Sequence, residues 1–306
     1  MIEVNELTKR YGDHTAVDGL TFTVRPGEIT GFLGPNGAGK STTMRSIVGL
    51  DRPSSGSALV NGEQYIRMSA PLREVGTLLD ARAAHPRLRA VDHLRALAAT
   101  HGLPHGRVAE VLDLVGLGEA GHRRIGVFSL GMRQRLGIAA ALLGEPGTII
   151  LDEPVNGLDP EGIIWIRELL TSLAAQGRTV FLSSHLMTEM AMIAQRVIVI
   201  GKGKLIAETT VDELTQKAQI TSISVRTPEP ARLQQALAAA GMTHTREQDL
   251  LRVEGATPEA VGRLARDHRL ILTELVPHRV SLETAVLELT ESHGEHAGLS
   301  VAEVAA

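Results

Sequence analysis

The sequence has no cysteine, which excludes disulfides and thiolate chemistry. It has no strong excess of one charge: the formal net charge is −4 at pH 7 over 306 residues, so no broad basic footprint points to nucleic acid. No run approaches the roughly 18 to 20 apolar residues of a membrane-crossing helix. The greasiest piece, LGIAAALLG, has only the length of a core helix. The opening MIEVNELTKRYGD lacks a continuous apolar stretch behind a basic start, so no signal peptide is expected. What remains is ordinary globular composition, 43% apolar and 22% charged, long enough for one large domain and one small one. If the chain serves a membrane process, another polypeptide crosses the bilayer.

Leu20, Phe22 and Val24 alternate with polar residues, which predicts a half-exposed strand. RPGE is a turn, and ITGFLG a short buried strand ending in glycine. A glycine-rich loop follows, then STTMRSIVGL as a helix, stopped by DRPSSGS. ALVNGEQ predicts a strand running into an Asn61-Gly62 turn. From about Ala90 to Val127 the pattern is helical. Val91, Leu94, Leu97 and Ala98 share one face, and Val108, Val111, Leu112 and Val115 another. TIILD, TVFLSS and RVIVIG are three buried-strand runs, separated by the helical stretches IIWIRELLTSLAAQ and LMTEMAMIAQ. GKGKLIAE predicts a closing hairpin. This alternation predicts an α/β fold, a mostly parallel sheet covered by helices on both faces.

After about Thr210 the pattern changes. SISVRT, a helix from Ala231 to Ala240, THTREQ, LLRVEG, a helix from Pro258 to Asp267, and LILTELV follow one another. That order predicts a small α+β domain of ferredoxin-like type. SLETAVLELTES reads as a last helix and HGEHAGLSVAEVAA as a loose tail. The expected division is 1–212, with a helical subdomain at about 80–127, then 213–292, then a tail at 293–306. Nothing from Val211 onward carries a chemical signature, so packing or dimerisation is expected of that part.

GPNGAGKST fits the G-x-x-x-x-G-K-[ST] phosphate loop, between a predicted strand and a predicted helix. Gly34, Pro35, Asn36, Gly37, Ala38 and Gly39 would curl so that backbone N–H groups point at phosphate oxygens. The helix that starts at Lys40 adds the positive end of its dipole. Lys40 can reach the β- and γ-phosphates, and the Ser41 hydroxyl, next to Thr42, can ligate Mg²⁺. In TIILDEP, Asp152 emerges from a buried strand to hold Mg²⁺. Glu153, next in line, is placed to polarise an attacking water as general base. SSH closes another strand at His185, whose functional reading is a γ-phosphate contact. ATP and Mg²⁺ are the expected ligands.

The order Gly34–Thr42, Ser129–Gln134, Asp152-Glu153, NGLDP with Asp159, and His185 resembles the ATP-binding subunit of an ABC transporter. The resemblance covers about Met1 to Asp212. It implies a P-loop NTPase core of the ABC-ATPase type, with N-terminal antiparallel strands and a helical subdomain. It implies that Tyr11 stacks on adenine with Val17 beside it, and that FSLGM stands at the family's L-S-G-G-Q signature. Two such domains would dimerise head to tail, each ATP lying between the phosphate loop of one copy and the signature of the other. Asp159 would cross the dimer axis. Closure would pass to a separate membrane permease through residues 80 to 127, which places the chain at the cytoplasmic face of the cell membrane.

The signature departs from the family's wording. Ser129 fits as a helix N-cap, with its hydroxyl and the helix-start N–H groups aimed at a γ-phosphate. Leu130 replaces a glycine at a position of negative φ, where a side chain costs little. Gly131 is retained, and Met132 replaces a glutamine. The reading is a working signature. Asp80, in VGTLLDARAAHP, stands where the family has a glutamine that senses Mg²⁺ and the attacking water. It is shorter and charged and can still approach Mg²⁺. Ala140 replaces an arginine. These features and SLETAVLELT are similar to the ATPases of bacterial bacitracin, lantibiotic and daunorubicin-type exporters.

The alternative is a soluble ATP-driven switch that transports nothing. Relatives linked to translation usually carry two ATPase units, and this chain has one phosphate loop. The stretch from Lys40 to Asp152 lacks the sustained heptads of chromosome-linked relatives. A non-hydrolysing scaffold is disfavoured by the presence of Glu153, Lys40 and His185. The histidines at 85, 93, 101, 105 and 122 predict no further metal site. His101 and His105 are four apart, but Gly102 and Pro104 break the helix that would align them.

Overall fold

The computed structural model describes residues 1–104, 106–184, 190–213 and 220–279, and the chain divides into two compact units after Val211. In the first unit, β1 (Ile2–Tyr11) pairs antiparallel with β2 (His14–Val24) and with β4 (Ser55–Val60), giving a three-stranded sheet in the order β2-β1-β4. The alternation in β2 buries Leu20, Phe22 and Val24 on one face. The Asn61-Gly62 pair has φ of 52° and 84°, the two left-handed residues of a tight turn of hairpin type.

The second sheet holds six strands, β3 (Ile29–Leu33), β5 (Val75–Leu78), β6 (Thr148–Leu151), β7 (Thr179–Ser184), β8 (Arg196–Gly201) and β9 (Lys204–Thr210), in the order β5-β6-β7-β3-β8-β9. Every pairing is parallel except the β8–β9 hairpin. β3, β6 and β7 are buried over their whole length, as central strands of a covered parallel sheet must be. One apolar cluster joins β1, β2 and β4 to this sheet and to Met44 and Ile47 of α1 (Lys40–Ile47). At its centre Phe22, Phe32 and Phe181 meet, with ring centroids 5.1–5.8 Å apart. A short α2 (Pro71–Glu74) leads into β5. α3 (Ala90–Thr100) and α4 (Gly106–Leu114) bury Val91, Leu94, Ala98, Val108, Val111 and Leu112, the two faces legible in the sequence. α5 (Leu130–Leu142) lies against β5, and α6 (Pro160–Ala175) against β7.

The second unit runs β10 (Ile220–Arg226), α7 (Pro230–Ala239), β11 (His244–Glu247), β12 (Leu250–Glu254), α8 (Pro258–Asp267) and β13 (Glu274–Arg279). Its antiparallel sheet has the order β11-β12-β10-β13, that of a ferredoxin-like domain. Ile223, Val225, Leu251 and Val253 pack with Leu233, Leu237 and Val261 of the two helices. The last strand begins later than the apolar run LILTELV suggests, at Glu274 rather than Leu270. Leu270 instead tucks into the core from the connection. The strand then continues through Pro277, which pairs opposite Ile223. Proline is tolerated there because β13 is an edge strand, with β10 as its one neighbour. His185, most of the stretch LMTEM, the expected last helix and the tail lie outside the described residues.

Phe181 has no exposed surface and joins three elements of the core. Phe181→Ala is expected to destabilise the first unit by about 3–5 kcal/mol through lost transfer energy and the cavity left behind, measured as a lower denaturant midpoint.

Candidate phosphate-binding and hydrolytic site

β3 ends at Leu33, and α1 begins at Lys40, so residues 34 to 39 form the loop between them. The loop sits close against other backbone. A Cβ on Gly39, where φ is 104°, would lie 2.5 Å from the Ala16 carbonyl oxygen, which explains a glycine at this point. Val17, fully buried, stands behind the same residue. Lys40 is 7% exposed, and its Nζ donates to the Gly34 carbonyl at 2.6 Å and to the Pro35 carbonyl at 3.2 Å. Burial pushes the Lys40 pKa down, while the charges of Glu153 and Asp152 act to raise it. The lysine thus lies within electrostatic reach of both carboxylates, which follow β6. Ser41 is exposed in the first turn of α1, and Thr42 is half-buried beside it.

Asp152 and Glu153 follow β6 directly. The Asp152 N–H donates to the Leu78 carbonyl at 2.7 Å, which ties it to the end of β5. Ser183, wholly buried on β7, accepts the Glu153 N–H at 2.9 Å and donates to Asp152 Oδ1. Glu153 has φ of 51°, a left-handed conformation that non-glycine residues adopt at a cost and that concentrates at functional sites. Gln134 of α5 donates to the Glu153 carbonyl at 2.9 Å. Neither Ser183 nor Gln134 stands out from sequence alone. The available signals are a serine inside the buried run TVFLSS and a polar residue on the buried face of α5.

Ser129 is the N-cap of α5, its Oγ accepting the Met132 N–H at 3.1 Å. Leu130 is the first helical residue and is exposed. Gly131 comes close to the chain's own loop: a Cβ there would lie 2.8 Å from the Gly157 carbonyl oxygen. Asp159 caps α6, its Oδ1 accepting the Gly162 N–H at 2.9 Å. Asp80 is exposed, and its Oδ1 accepts the Arg82 N–H at 2.7 Å, closing a local turn. Tyr11 is 47% exposed at the end of β1. Its hydroxyl donates to Asp51 Oδ2 at 2.8 Å and also meets the Thr42 side chain. The Lys9 ammonium lies 4.8 Å from the Tyr11 ring centroid. Arg45 pairs with Asp51 at 2.7 Å and holds its carboxyl below the usual range. Burial, then the bond to Asp51, pushes the Tyr11 phenol up. The structure thus gathers the phosphate loop, Tyr11, Val17, Asp152 and Glu153 at one edge of the sheet. Ser129, Gly131 and Asp159 sit at helix starts near one another.

Among the described residues no group of three or more His, Asp or Glu side chains could hold a metal by itself. A serine hydroxyl and one or two carboxylates are nevertheless the oxygen donors that suit Mg²⁺, which takes few protein ligands and completes its shell from substrate phosphates and water.

Residues 17–156 match the family model described as ABC transporter, and residues 221–283 match a domain of unknown function (DUF8746). The chain is 42% identical over 220 residues to the bacitracin transport ATP-binding protein BcrA of Bacillus licheniformis, covering 71% of this chain and 72% of that protein. It is 34% identical over 301 residues to YdbJ of Bacillus subtilis, described as an uncharacterized ABC transporter ATP-binding protein, covering 96% and 97% of the two chains. Among solved structures, the dimeric MJ0796, a bacterial ABC transporter cassette, matches with a TM-score of 0.64 at 25% identity, over 69% of this chain and 99% of that one.

Two outcomes are expected at this site. Gly39→Ala forces a side chain onto the Ala16 backbone at a left-handed φ and should weaken nucleoside triphosphate binding by about tenfold or more, read by calorimetry. Asp51→Asn removes the charge that helps hold the Tyr11 proton, so phenolate absorbance should show the Tyr11 phenol titrating at lower pH than in the wild type.

Proposed function

The chain belongs to the ABC transporter family of ATP-binding proteins, and from that premise we propose that it drives an exporter of antibiotics or similar amphipathic compounds. As a family member it is the ATPase subunit of a transporter. The finer reading is that it works as a homodimer on a separate membrane permease, at the cytoplasmic face of the membrane. The observation that carries the hydrolytic part is that Lys40, after β3, and Asp152 and Glu153, after β6, stand at the same end of the parallel sheet, one strand apart and within electrostatic reach. The bacitracin and lantibiotic transport proteins among its relatives support the cargo class. No helix among the described residues is long and apolar enough to cross a membrane, in keeping with a partner that does.

In this reading the N–H groups of residues 34 to 42 and the dipole of α1 hold the phosphates of ATP. Lys40 turns its amine from the Gly34 and Pro35 carbonyls to the β- and γ-phosphate oxygens. Tyr11 stacks on the adenine, and the buried Val17 backs the loop at Gly39. Ser41, Asp152 and Asp80 are the residues that would hold Mg²⁺, whose charge would offset that of the phosphates. Glu153 orients the attacking water and accepts its proton. His185 contacts the γ-phosphate. Ser129 and Gly131 of one copy face the γ-phosphate held by the other. Asp159 lies near the dimer axis, where its capping bond to α6 fixes the loop that precedes it.

The test is the mass in solution of three variants with and without Mg-ATP, beside wild-type rates of ATP hydrolysis. Glu153→Gln should bind ATP, fail to split it, and collect as a dimer. Lys40→Ala and Ser129→Ala should remain monomeric. A Ser129→Ala protein that dimerises and hydrolyses like the wild type would remove the signature assignment and favour the soluble switch.

A further inference from the structure

Glu153 leaves β6 in a left-handed conformation, so its backbone groups depart from the sheet ladder and need partners elsewhere. Two buried side chains from different elements supply them. Ser183 on β7 accepts the Glu153 N–H at 2.9 Å, and the same hydroxyl donates to Asp152 Oδ1. The hydroxyl accepts from the amide through a lone pair and gives its own proton to the carboxylate, so one side chain bridges both residues. Gln134 on α5 donates from Nε2 to the Glu153 carbonyl at 2.9 Å. That carbonyl also accepts the Asn156 N–H at 3.2 Å, within the turn. Gln134 is 4% exposed, and its neighbours on the buried side of α5 are Leu136, Ile138 and Ala139. Leucine would pack at such a position without an amide to desolvate. A glutamine is tolerated because its amide is paired.

Gln134 lies on the helix that Ser129 caps. The same six-residue stretch therefore has an exposed cap at one end and a bond to the Glu153 backbone at the other. We propose that Ser183 and Gln134 are positioning residues that clamp the Glu153 backbone, and that Gln134 transmits displacement of α5 to the general base. The transmission rests on the functional reading above. In that dimer Ser129 serves the ATP held by the other copy, while Glu153 serves the ATP of its own phosphate loop. One helix and one amide then connect the two hydrolytic sites, so that a base is aligned when its own chain's signature is engaged across the interface.

The experiment measures kcat and KM for ATP in Gln134→Leu, Gln134→Met, Ser183→Ala and Ser183→Thr. Gln134→Leu and Ser183→Ala should lower kcat by about 100-fold, the cost of moving a catalytic group by about an ångström, with KM and ATP-driven dimerisation unchanged. Ser183→Thr keeps the hydroxyl and should recover most of the rate, which a purely volumetric role would not predict. Gln134→Met keeps the length but has no donor, so it should behave like Gln134→Leu and replaces it if the leucine variant fails to fold. The link to the signature is read from Ser129→Ala combined with Gln134→Leu. If Gln134 transmits, the double variant is no slower than the slower single one. Multiplying defects overturn the transmission, and a wild-type kcat in Gln134→Leu or Gln134→Met overturns the clamp. A Ser129→Ala protein at wild-type rate sinks the signature assignment and the transmission together, whereas loss of kcat in Ser183→Ala with rescue by threonine still establishes the positioning role.

Discussion

The first unit is organised around a charge problem. Two carboxylates in succession, Asp152 and Glu153, stand at the end of a buried strand, and a half-dry setting strengthens their mutual repulsion. Lys40 lies close enough to counter both, and its amine is further held by two loop carbonyls. A buried ammonium is costly without such partners. The loop must curl for Lys40 to be bonded, while the acids are held from below by the Leu78 carbonyl and Ser183. A triphosphate suits this edge because loop N–H groups, a helix start and a lysine provide positive potential while the acids keep it from being uniformly cationic.

The sheet supplies the ruler. β3 carries the phosphate loop, β6 the acids and β7 lies between them with Ser183 at matching height. Parallel strands in register bring their carboxyl ends to one edge, where open α/β sheets bind ligands. Their relative heights are fixed by apolar packing underneath, where Phe22, Phe32 and Phe181 tie β2, β3 and β7 into one cluster. The helical part contributes by a different route. α5 presents its capped start to the surface and pins its interior through Gln134, so its head and its bond to Glu153 belong to one rigid element.

The second unit shows how little chemistry a stable small domain needs. Its core is aliphatic, from Ile223 and Val225 through Leu251 and Val253 to the two helices. Its edge strand carries a proline and its other edge the charged run HTRE, devices that discourage further strand pairing.

Much of this was written locally. The apolar runs ITGFL, TIIL, TVFLSS and RVIVIG could be little but buried strands, because their period suits neither an amphipathic helix nor a loop. GPNGAGKST named its ligand through the backbone shape its glycines allow, and Ser129 announced a helix cap by type and place. β5 stayed hidden because four residues, one of them Gly76, leave no period to read. The start of β13 was misplaced because a coil residue, Leu270, can fill a core as well as a strand residue can. Local sequence therefore determined which segments become strand, helix or phosphate loop, since those depend on short-range periodicity and backbone freedom. Only the tertiary structure decided that Ser183 and Gln134 would grip Glu153 and that Lys40 would stand within electrostatic reach of both acids. Such contacts join residues far apart in the chain, and their hydrogen-bond geometry exists only once the sheet has set their distances.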